Sequence, residues 1–234
     1  MQNQKRILVF SPHPDDAEIA MGGTILKFLS DGWEVIIADL TDGEPTPAGS
    51  IEIRAKEKTL AAERLGITER VCVDLPNRYL QADLESRTKV AEVIRQFQPR
   101  WLFITYRPDA HPDHVHAAQL IEDARFAAKL TKTDMKFDPW FPEKIFYYYA
   151  SHLRVDAKPT FSIDISKFWQ QKCHAIEAYQ SQFWLNQPDP DKKGWILQHI
   201  GDINRYFGNR TYCQYAEPFF CNEPLGLSNM ENIL

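Results

Sequence analysis

An apolar run that stops at a cluster of ionisable side chains constrains the fold of this chain more than any other feature. The run, Ile7 to Phe10, has the length and character of a buried strand. It is followed by His13, Asp15 and Asp16 in the sequence HPDD, and then by apolar residues at helical spacing. Because ligands bind outside the carboxyl ends of strands in open α/β sheets, this order predicts a strand, a functional turn and a helix.

A second stretch repeats the arrangement. The apolar run Trp101 to Tyr106 precedes HPDH, in which His111 and His114 have the same three-residue spacing. If the two strands are neighbours in a parallel sheet, both turns meet over one crevice. One of these two histidines, together with His13 and Asp16, would then complete the three protein ligands of a catalytic zinc site. The same ligand types also suit ferrous iron, manganese or cobalt.

Each motif also has an ordinary structural interpretation. Proline and aspartate after a histidine suit the first turn of a helix, where both residues are favoured. Two such clusters directly after two strand-like runs are hard to explain by helix capping alone, so together they favour a metal centre. A carboxylate left over from the ligand set could deprotonate water, and a leftover histidine could stabilise an oxyanion or protonate a leaving amine.

Strands and helices alternate through the first part of the chain. This pattern predicts an α/β fold with a Rossmann-like, mostly parallel, doubly wound sheet and helices on both faces. At 234 residues, we expect one domain that spans residues 1–234. Further strands are predicted at Trp33–Leu40 and Arg70–Leu75, and helices at Ala17–Ser30, Ile51–Leu65, Leu84–Phe97 and about Val115–Leu130.

Beyond about residue 135 the alternation weakens and aromatic residues become frequent. Short strands are predicted at Ile145–Ala150 and Phe161–Ile165, and helices at Lys167–Trp184 and Gly194–Phe207. The tail, Glu217–Leu227, is too apolar to remain in water. We expect it to pack over the sheet, near the site mouth or against a neighbouring subunit, with the core of its own subunit as an equal alternative. This part of the chain is expected to complete the site and a subunit interface.

Composition restricts the partners and the compartment. The chain has 27 basic and 32 acidic side chains, a net charge of −5, which argues against nucleic acid as a partner. The polar N-terminus and the short apolar run after it form neither a signal core nor a membrane span, so a cytoplasmic protein is expected. The four cysteines have no metal-binding spacing and are predicted to be free thiols, with Cys72 buried in a strand.

Two features of the first half have alternative explanations. Gly22 and Gly23 weaken the first helix, and close packing of other groups is the expected reason. A phosphate-binding loop is the alternative, but the sequence has neither a GxGxxG nor a Walker pattern. The loop Pro45–Ser50 is either an ordinary surface connection or part of a ligand site.

At these residues the sequence resembles the LmbE-like, or PIG-L, family of de-N-acetylases, metal-dependent hydrolases of N-acetyl groups on glucosamine-type sugars. The resemblance covers nearly the whole chain and includes SPHPDDAEIAMGGT, DLTDGEPTPAG, AAERLG, RPDAHPDHVHAA, AYQSQF and YAEPFF. The last two segments are most similar to the bacillithiol-biosynthesis deacetylases, which act on N-acetylglucosaminyl malate.

The resemblance implies a metal centre and a general base. His13, Asp16 and His114 would hold one divalent metal, Zn²⁺ in the first instance, with Fe²⁺ as the alternative. Asp15 would remove a proton from water.

The resemblance also implies roles for residues around that centre. His111 would be the electrophilic histidine, oriented and kept protonated by Asp113. Arg54 and Glu44 would bind the sugar or its aglycone. Without the resemblance, Arg54 on the first turn of a helix is typical of a solvated charge.

The predicted function is therefore hydrolysis of an N-acetyl group on an amino sugar, by a homo-oligomer such as the trimers and hexamers of the family. A metal-dependent hydrolase of another bond, such as a phosphoester, is the first rival, although two-metal phosphatases usually supply more carboxylates. The second rival is a non-catalytic metal- or sugar-binding module. The presence of Asp15, which is not needed to hold the ion, argues against it.

Overall fold

A seven-stranded sheet flanked by helices is the frame of the molecule, in a computed structural model that describes residues 5–150, 158–185 and 189–228. The strands are β1 (Arg6–Ser11), β2 (Glu34–Asp39), β3 (Glu69–Cys72), β4 (Trp101–Thr105), β5 (Lys144–Tyr148), β6 (Phe161–Asp164) and β7 (Ala216–Phe220). The helices are α1 (Asp16–Ser30), α2 (Ile51–Leu65), α3 (Leu84–Phe97), α4 (Pro112–Ala128), α5 (Trp169–Ile176), α6 (Gln180–Phe183) and α7 (Trp195–Arg210).

The strand order is β3-β2-β1-β4-β5-β7-β6, and the first five strands of this order are parallel. Strand β7 runs antiparallel to both of its neighbours. The two strands that precede the HPDD and HPDH turns, β1 and β4, pair directly, as the sequence predicts. The chain order changes direction between them, and such a switch point is where open α/β sheets bind ligands.

Helices cover both faces of the sheet, which confirms the predicted fold class. Along β1 the side chains alternate between two cores. Leu8 and Phe10 belong to the core formed with α3 and α4. Ile7 and Val9 belong to the core formed with α1 and α2 on the opposite face. In the part of the chain that the structure describes, none of the helices has both the length and the apolar character needed to span a membrane.

Helix α1 is kinked in its middle. Met21 leaves the helical conformation, with φ −141° and ψ 22°. After the kink, the N–H groups of Gly23 and Thr24 donate to the carboxylate of Glu217, at 3.0 and 2.6 Å. A negative charge at free N–H groups is the arrangement that stabilises a helix N-terminus. The second half of α1 is therefore capped by a residue from β7.

The glycine pair of α1 allows close packing, as predicted. A Cβ added at Gly23 would lie 2.7 Å from the Cβ of Ile165, which is too close. A Cβ added at Gly22 would lie 3.2 Å from the Cγ of Lys172. Both neighbours come from the segment that leads into and forms α5, so the two glycines determine how α5 meets α1.

The segment Lys167–Trp184 was expected to be one helix, and this prediction is wrong. A short 3₁₀ turn at Ser166–Phe168 precedes α5, and the chain leaves the helical conformation before α6, at Tyr179 (φ −85°, ψ 61°). The break places the Tyr179 ring in the core, where it is fully buried. Burial of one large aromatic side chain thus overrides the helical pattern.

Part of the apolar tail lies within the sheet and not over it. Ala216–Phe220 forms β7, and Phe219 is fully buried in the core of its own subunit. The alternative that the tail contributes to its own core is thus confirmed for these residues. Pro218 pairs with Ser162 of the edge strand β6. Cys72, predicted to be buried, is exposed, because it ends β3 at the opposite edge of the sheet.

Candidate metal centre

Three side chains from the two HPDx turns converge at the carboxyl ends of β1 and β4. The Asp16 Oδ2 atom lies 3.1 Å from His13 Nδ1 and 3.2 Å from His114 Nε2. His114 is fully buried and Asp16 is 4% exposed. The ligand atoms of this cluster all lie within 4.8 Å of one another, so one ion can contact all three. Of the two histidines that the sequence leaves as alternatives, the structure brings His114 to Asp16.

Local hydrogen bonds orient each of these side chains. Asp16 is the first residue of α1, and its Oδ2 atom accepts from the backbone N–H of His13 at 3.0 Å, which closes the turn. His114 lies on the first turn of α4, and its Nδ1 atom contacts Asp109 Oδ2 at 3.1 Å. A carboxylate at one ring nitrogen fixes the other nitrogen as the metal-binding atom. Sequence reasoning missed Asp109, although it lies within the RPDAHPDH segment.

The charges of the cluster suit a divalent cation. Burial disfavours charged imidazoles, yet Asp16 and Asp109 raise the pKa of His114 to about 10, and Asp113 and Asp16 raise that of His13 to about 9. Burial would raise the pKa of Asp16, but the two histidines outweigh burial and hold this pKa well below its usual value. The cluster therefore accommodates two positive charges beside one carboxylate. A divalent ion with neutral imidazoles would carry the same charge, so the ligand set fits a metal.

Asp15 lies at the N-cap of α1 with a backbone conformation that is unusual for a non-glycine residue. Its φ is 130° and its ψ is −28°, and strain of this kind is concentrated at functional sites. The Oδ2 atom accepts from Arg54 Nη2 at 2.8 Å. Burial, opposed by Arg54, raises the pKa of the carboxyl to about 7. Asp15 is thus a carboxylate that can exchange a proton near neutral pH.

Arg54 is not a solvated charge. It comes from the first turn of α2, is 3% exposed, and donates from Nη2 to the carbonyl of Pro14 as well as to Asp15. Its Cζ atom lies 5.4 Å from the centroid of the Tyr179 ring. The Nε and Nη1 atoms are buried and make no hydrogen bond to the described residues. Among those residues, Nη2 therefore makes all of the hydrogen bonds of the guanidinium.

Asp113 contacts a different histidine from the one predicted. Its Oδ2 atom lies 3.1 Å from His13 Nε2 and accepts from the backbone N–H of Arg78 at 2.7 Å. His111 instead accepts, at Nδ1, from the backbone N–H of Asp113 at 3.2 Å. The Asp113 carboxylate thus orients His13, whereas its expected action on His111 stays a prediction. His13 lies 100 residues before Asp113, so spacing along the chain gives no sign of this contact.

His111 is neutral in this environment, in contrast to the protonated state expected from the resemblance. Burial, together with the nearby positive charges of His114 and His13, lowers the pKa of His111 to about 4. Because Nδ1 accepts a hydrogen bond, the proton of the neutral ring is on Nε2.

Glu44 supports a loop and does not line the cavity beside the cluster. Its two carboxylate oxygens accept from the backbone N–H and the hydroxyl of Thr46, at 2.7 and 2.8 Å. Its backbone carbonyl accepts from the amide of Asn77 at 2.9 Å. The structure thus places the loop at the site, as one alternative predicts, with the Glu44 carboxylate bonded to Thr46 of that loop.

A cavity of about 340 Å³ opens beside the metal cluster, a volume typical of small-molecule sites. Besides His13, Asp15, Asp16, Arg54 and His111, it is lined by Ile19, Gly43, Pro45, Thr46, Pro47, Asn77, Arg78, Gln182 and Phe183. Gln182 donates to the hydroxyl of Thr46 at 3.1 Å and so bridges α6 and the loop across the mouth. Sequence reasoning assigned no role to Arg78, Gln182 or Phe183, although AYQSQF contains the last two.

Comparisons with known proteins show which family the chain resembles. The PIG-L family model, described as GlcNAc-PI de-N-acetylase, matches residues 8–125. A diacetylchitobiose deacetylase of Thermococcus kodakarensis is 31% identical over 91% of this chain and 81% of its own length. A probable N-acetyl-alpha-D-glucosaminyl L-malate deacetylase 2 of Bacillus anthracis is 24% identical over 78% of this chain and 84% of its own. The conserved protein TT1542 of Thermus thermophilus superposes with a TM-score of 0.86, at 34% identity, over 94% of this chain and 96% of that structure.

Proposed function

Since the chain belongs to the PIG-L family of de-N-acetylases, we propose that it hydrolyses the N-acetyl group of an N-acetylglucosamine-type sugar with the help of one divalent metal ion. The family membership confirms the resemblance seen in the sequence. One observation carries the proposal: the three-ligand cluster and Asp15 lie at the same cavity, and the pKa of Asp15 is about 7.

His13, Asp16 and His114 would hold the ion. Two imidazole nitrogens and one carboxylate oxygen, with room for water, are the ligand set of many hydrolytic zinc enzymes, and we therefore propose Zn²⁺, with Fe²⁺ as the alternative. When bound there, the ion would act as a Lewis acid towards the acetyl carbonyl and would acidify a water molecule.

Asp15 is the proposed general base. With a pKa of about 7, the Asp15 carboxylate can accept the proton of the attacking water at neutral pH and can then donate it to the leaving amine. The strained N-cap conformation keeps this carboxylate apart from the ligand set, on the side of Arg54.

His111 is the proposed donor to the oxyanion of the tetrahedral intermediate. Its Nε2–H is directed by the hydrogen bond at Nδ1, and no proton has to be gained or lost for it to donate. One such donor typically contributes about 3–4 kcal/mol to a transition state. Since a neutral imidazole with a pKa of about 4 is a poor source of protons, we assign protonation of the leaving amine to Asp15. Asp113 acts on this chemistry through His13.

The sugar would lie in the cavity beside these groups. Arg54 lines it and remains our candidate for binding the sugar or its aglycone, whereas Glu44 would contribute through the loop it supports. The AYQSQF and YAEPFF segments and the likeness to the Bacillus protein favour N-acetylglucosaminyl malate, in bacillithiol biosynthesis. The likeness to the Thermococcus protein makes diacetylchitobiose the alternative.

We also propose a single domain spanning residues 1–234, a cytoplasmic location and, from the family resemblance, a homo-oligomer, a trimer or a hexamer. The partners would then be a small amino sugar and further copies of the chain, without nucleic acid or membrane.

The test is amine release from N-acetylglucosamine, its malate glycoside and diacetylchitobiose, by protein loaded in turn with zinc and ferrous iron. We expect release that stops with chelator and falls by about 10²–10⁴-fold in Asp15→Asn, with the metal retained. Asp138→Asn, an exposed aspartate outside the cavity, is the matched control. No release from any sugar by protein holding one equivalent of metal would refute the proposal and favour another acyl substrate, a phosphoester or a binding module.

A further inference from the structure

Tyr179, in the AYQSQF segment, is fully buried behind Arg54. The Arg54 Cζ atom lies 5.4 Å from the centroid of its ring, which is within the range of a cation–π contact. The hydroxyl of Tyr179 donates to Glu18 Oε1 at 2.8 Å. The ring is thus fixed at its hydroxyl end while its face lies against the guanidinium.

A buried ionic chain holds Glu18 in turn. Arg70 donates to Glu18 Oε1 from Nη1 and to both carboxylate oxygens of Asp39 at 2.8 Å each. Glu18 and Asp39 are fully buried. The hydroxyl of Tyr179 is therefore anchored to side chains from α1, β2 and β3, which are parts of the rigid frame.

The hydrogen bonds of Arg54 alone do not fix its guanidinium plane. Only Nη2 is hydrogen-bonded to the described residues, whereas Nε and Nη1 are not. A planar group held at one corner can still swing about that corner. The face of the Tyr179 ring restricts this motion, and the guanidinium lies close to Gly43, where an added Cβ would be 3.2 Å from Arg54 Nε.

We propose that Tyr179 is a positioning residue that holds Arg54 against Asp15, and so keeps the general base in its productive place. The inference rests on the proposed function for the role of Asp15. It gives the AYQSQF segment a role in turnover through Tyr179, in addition to the cavity-lining residues Gln182 and Phe183.

The test compares Tyr179→Phe, which keeps the ring, with Tyr179→Leu, which removes it. We expect kcat to fall about 10–30-fold in the leucine variant, with metal content little changed, and to be largely restored by phenylalanine. Tyr215→Leu is the matched control, because the Arg205 Cζ atom also lies 5.4 Å from the Tyr215 ring, outside the cavity. This variant should retain wild-type kcat.

A double-mutant cycle separates positioning from a general structural role. In an Arg54→Met background, Tyr179→Leu should change kcat less than about twofold, because the group it acts through is already gone. An equal loss of kcat in both backgrounds, or a loss confined to KM, would overturn the proposal. If the leucine variant does not fold, Tyr179→Met takes its place in the same cycle.

Crystal structures of the variants give a readout that does not depend on turnover. The 2.8 Å contact between Arg54 Nη2 and Asp15 Oδ2 should be lost in Tyr179→Leu and kept in Tyr179→Phe. An unchanged contact in the leucine variant would refute the positioning role. An inactive wild-type protein with a displaced Arg54 in the variant would refute the proposed function and leave the positioning role standing.

Discussion

Replacement of Glu217 by glutamine should destabilise the whole domain. The carboxylate is fully buried and accepts from Gly23, Thr24 and, at 2.6 Å, from the ammonium of Lys172. Glutamine keeps the shape but offers one acceptor oxygen and one NH₂ group. Three donors then face one acceptor, and among the described residues the buried ammonium keeps Asn204 Oδ1, at 3.0 Å, as its remaining hydrogen-bond acceptor.

Breaking a buried ion pair from one side typically costs about 3–5 kcal/mol, because the remaining charge is left without its partner. The cost is a large share of the roughly 5–15 kcal/mol that holds a domain together. For a domain of this size it corresponds to a fall in Tm of roughly 6–20 °C.

The assay is urea denaturation followed by circular dichroism, with chelator present so that metal binding does not contribute to stability. The double variant Lys172→Met with Glu217→Gln removes both charges and should lose less than the sum of the two single variants. Glu85→Gln, in an exposed pair with Lys89, is the control and should not shift the midpoint. A Glu217→Gln protein within about 1 kcal/mol of wild type, or additive single losses, would refute the role of the ion pair.

Three further outcomes are expected. Asp109→Asn should weaken zinc affinity by about 10–100-fold, because Asp109 orients His114, and His114→Ala should weaken it further; competition with a chelator measures both. The pKa of His111 falls from 6.5 to about 4 on folding, so the unfolded chain binds more protons than the folded chain between these pH values. The contribution of His111 to stability therefore rises with pH across that window. His111→Gln should flatten the pH dependence of metal-free urea midpoints there, and an unchanged slope would contradict the shift. Glu44→Gln should speed proteolysis between Pro45 and Ser50, and an unchanged rate of proteolysis would contradict the role of Glu44 in supporting this loop.

The position of the site could be predicted because it depends on rules that act locally and on strand order. Each HPDx turn follows a strand-like apolar run, and parallel strands present their carboxyl ends at one edge of the sheet. The pairing of β1 with β4 then brings His13 and Asp16 to His114. Only the choice between His111 and His114 needed more than spacing, and it is decided by the Asp109 contact within the β4–α4 loop.

The long-range contacts could not be predicted in the same way. Glu217 caps a helix kink 193 and 194 residues earlier in the chain, and no local pattern marks it as a capping residue. The buried state of Arg54 depends on Tyr179 and Asp15, which come from distant segments. Propensity and periodicity describe neighbours along the chain, whereas these charges are placed by tertiary packing.

The charge of His111 shows how the fold itself selects among mechanisms. His111 is the N-cap of α4, so its ring lies at the positive end of a 17-residue helix, where a further positive charge is unfavourable. Burial and the positive charges of the two other imidazoles act in the same direction and outweigh the Asp113 and Asp16 carboxylates, which oppose them. A bound divalent cation with neutral imidazoles would put the same positive charge near the ring in place of the two protonated imidazoles. All of these contributions favour a neutral hydrogen-bond donor, and Asp15, whose pKa lies close to 7, remains our proposed source of the proton for the departing amine.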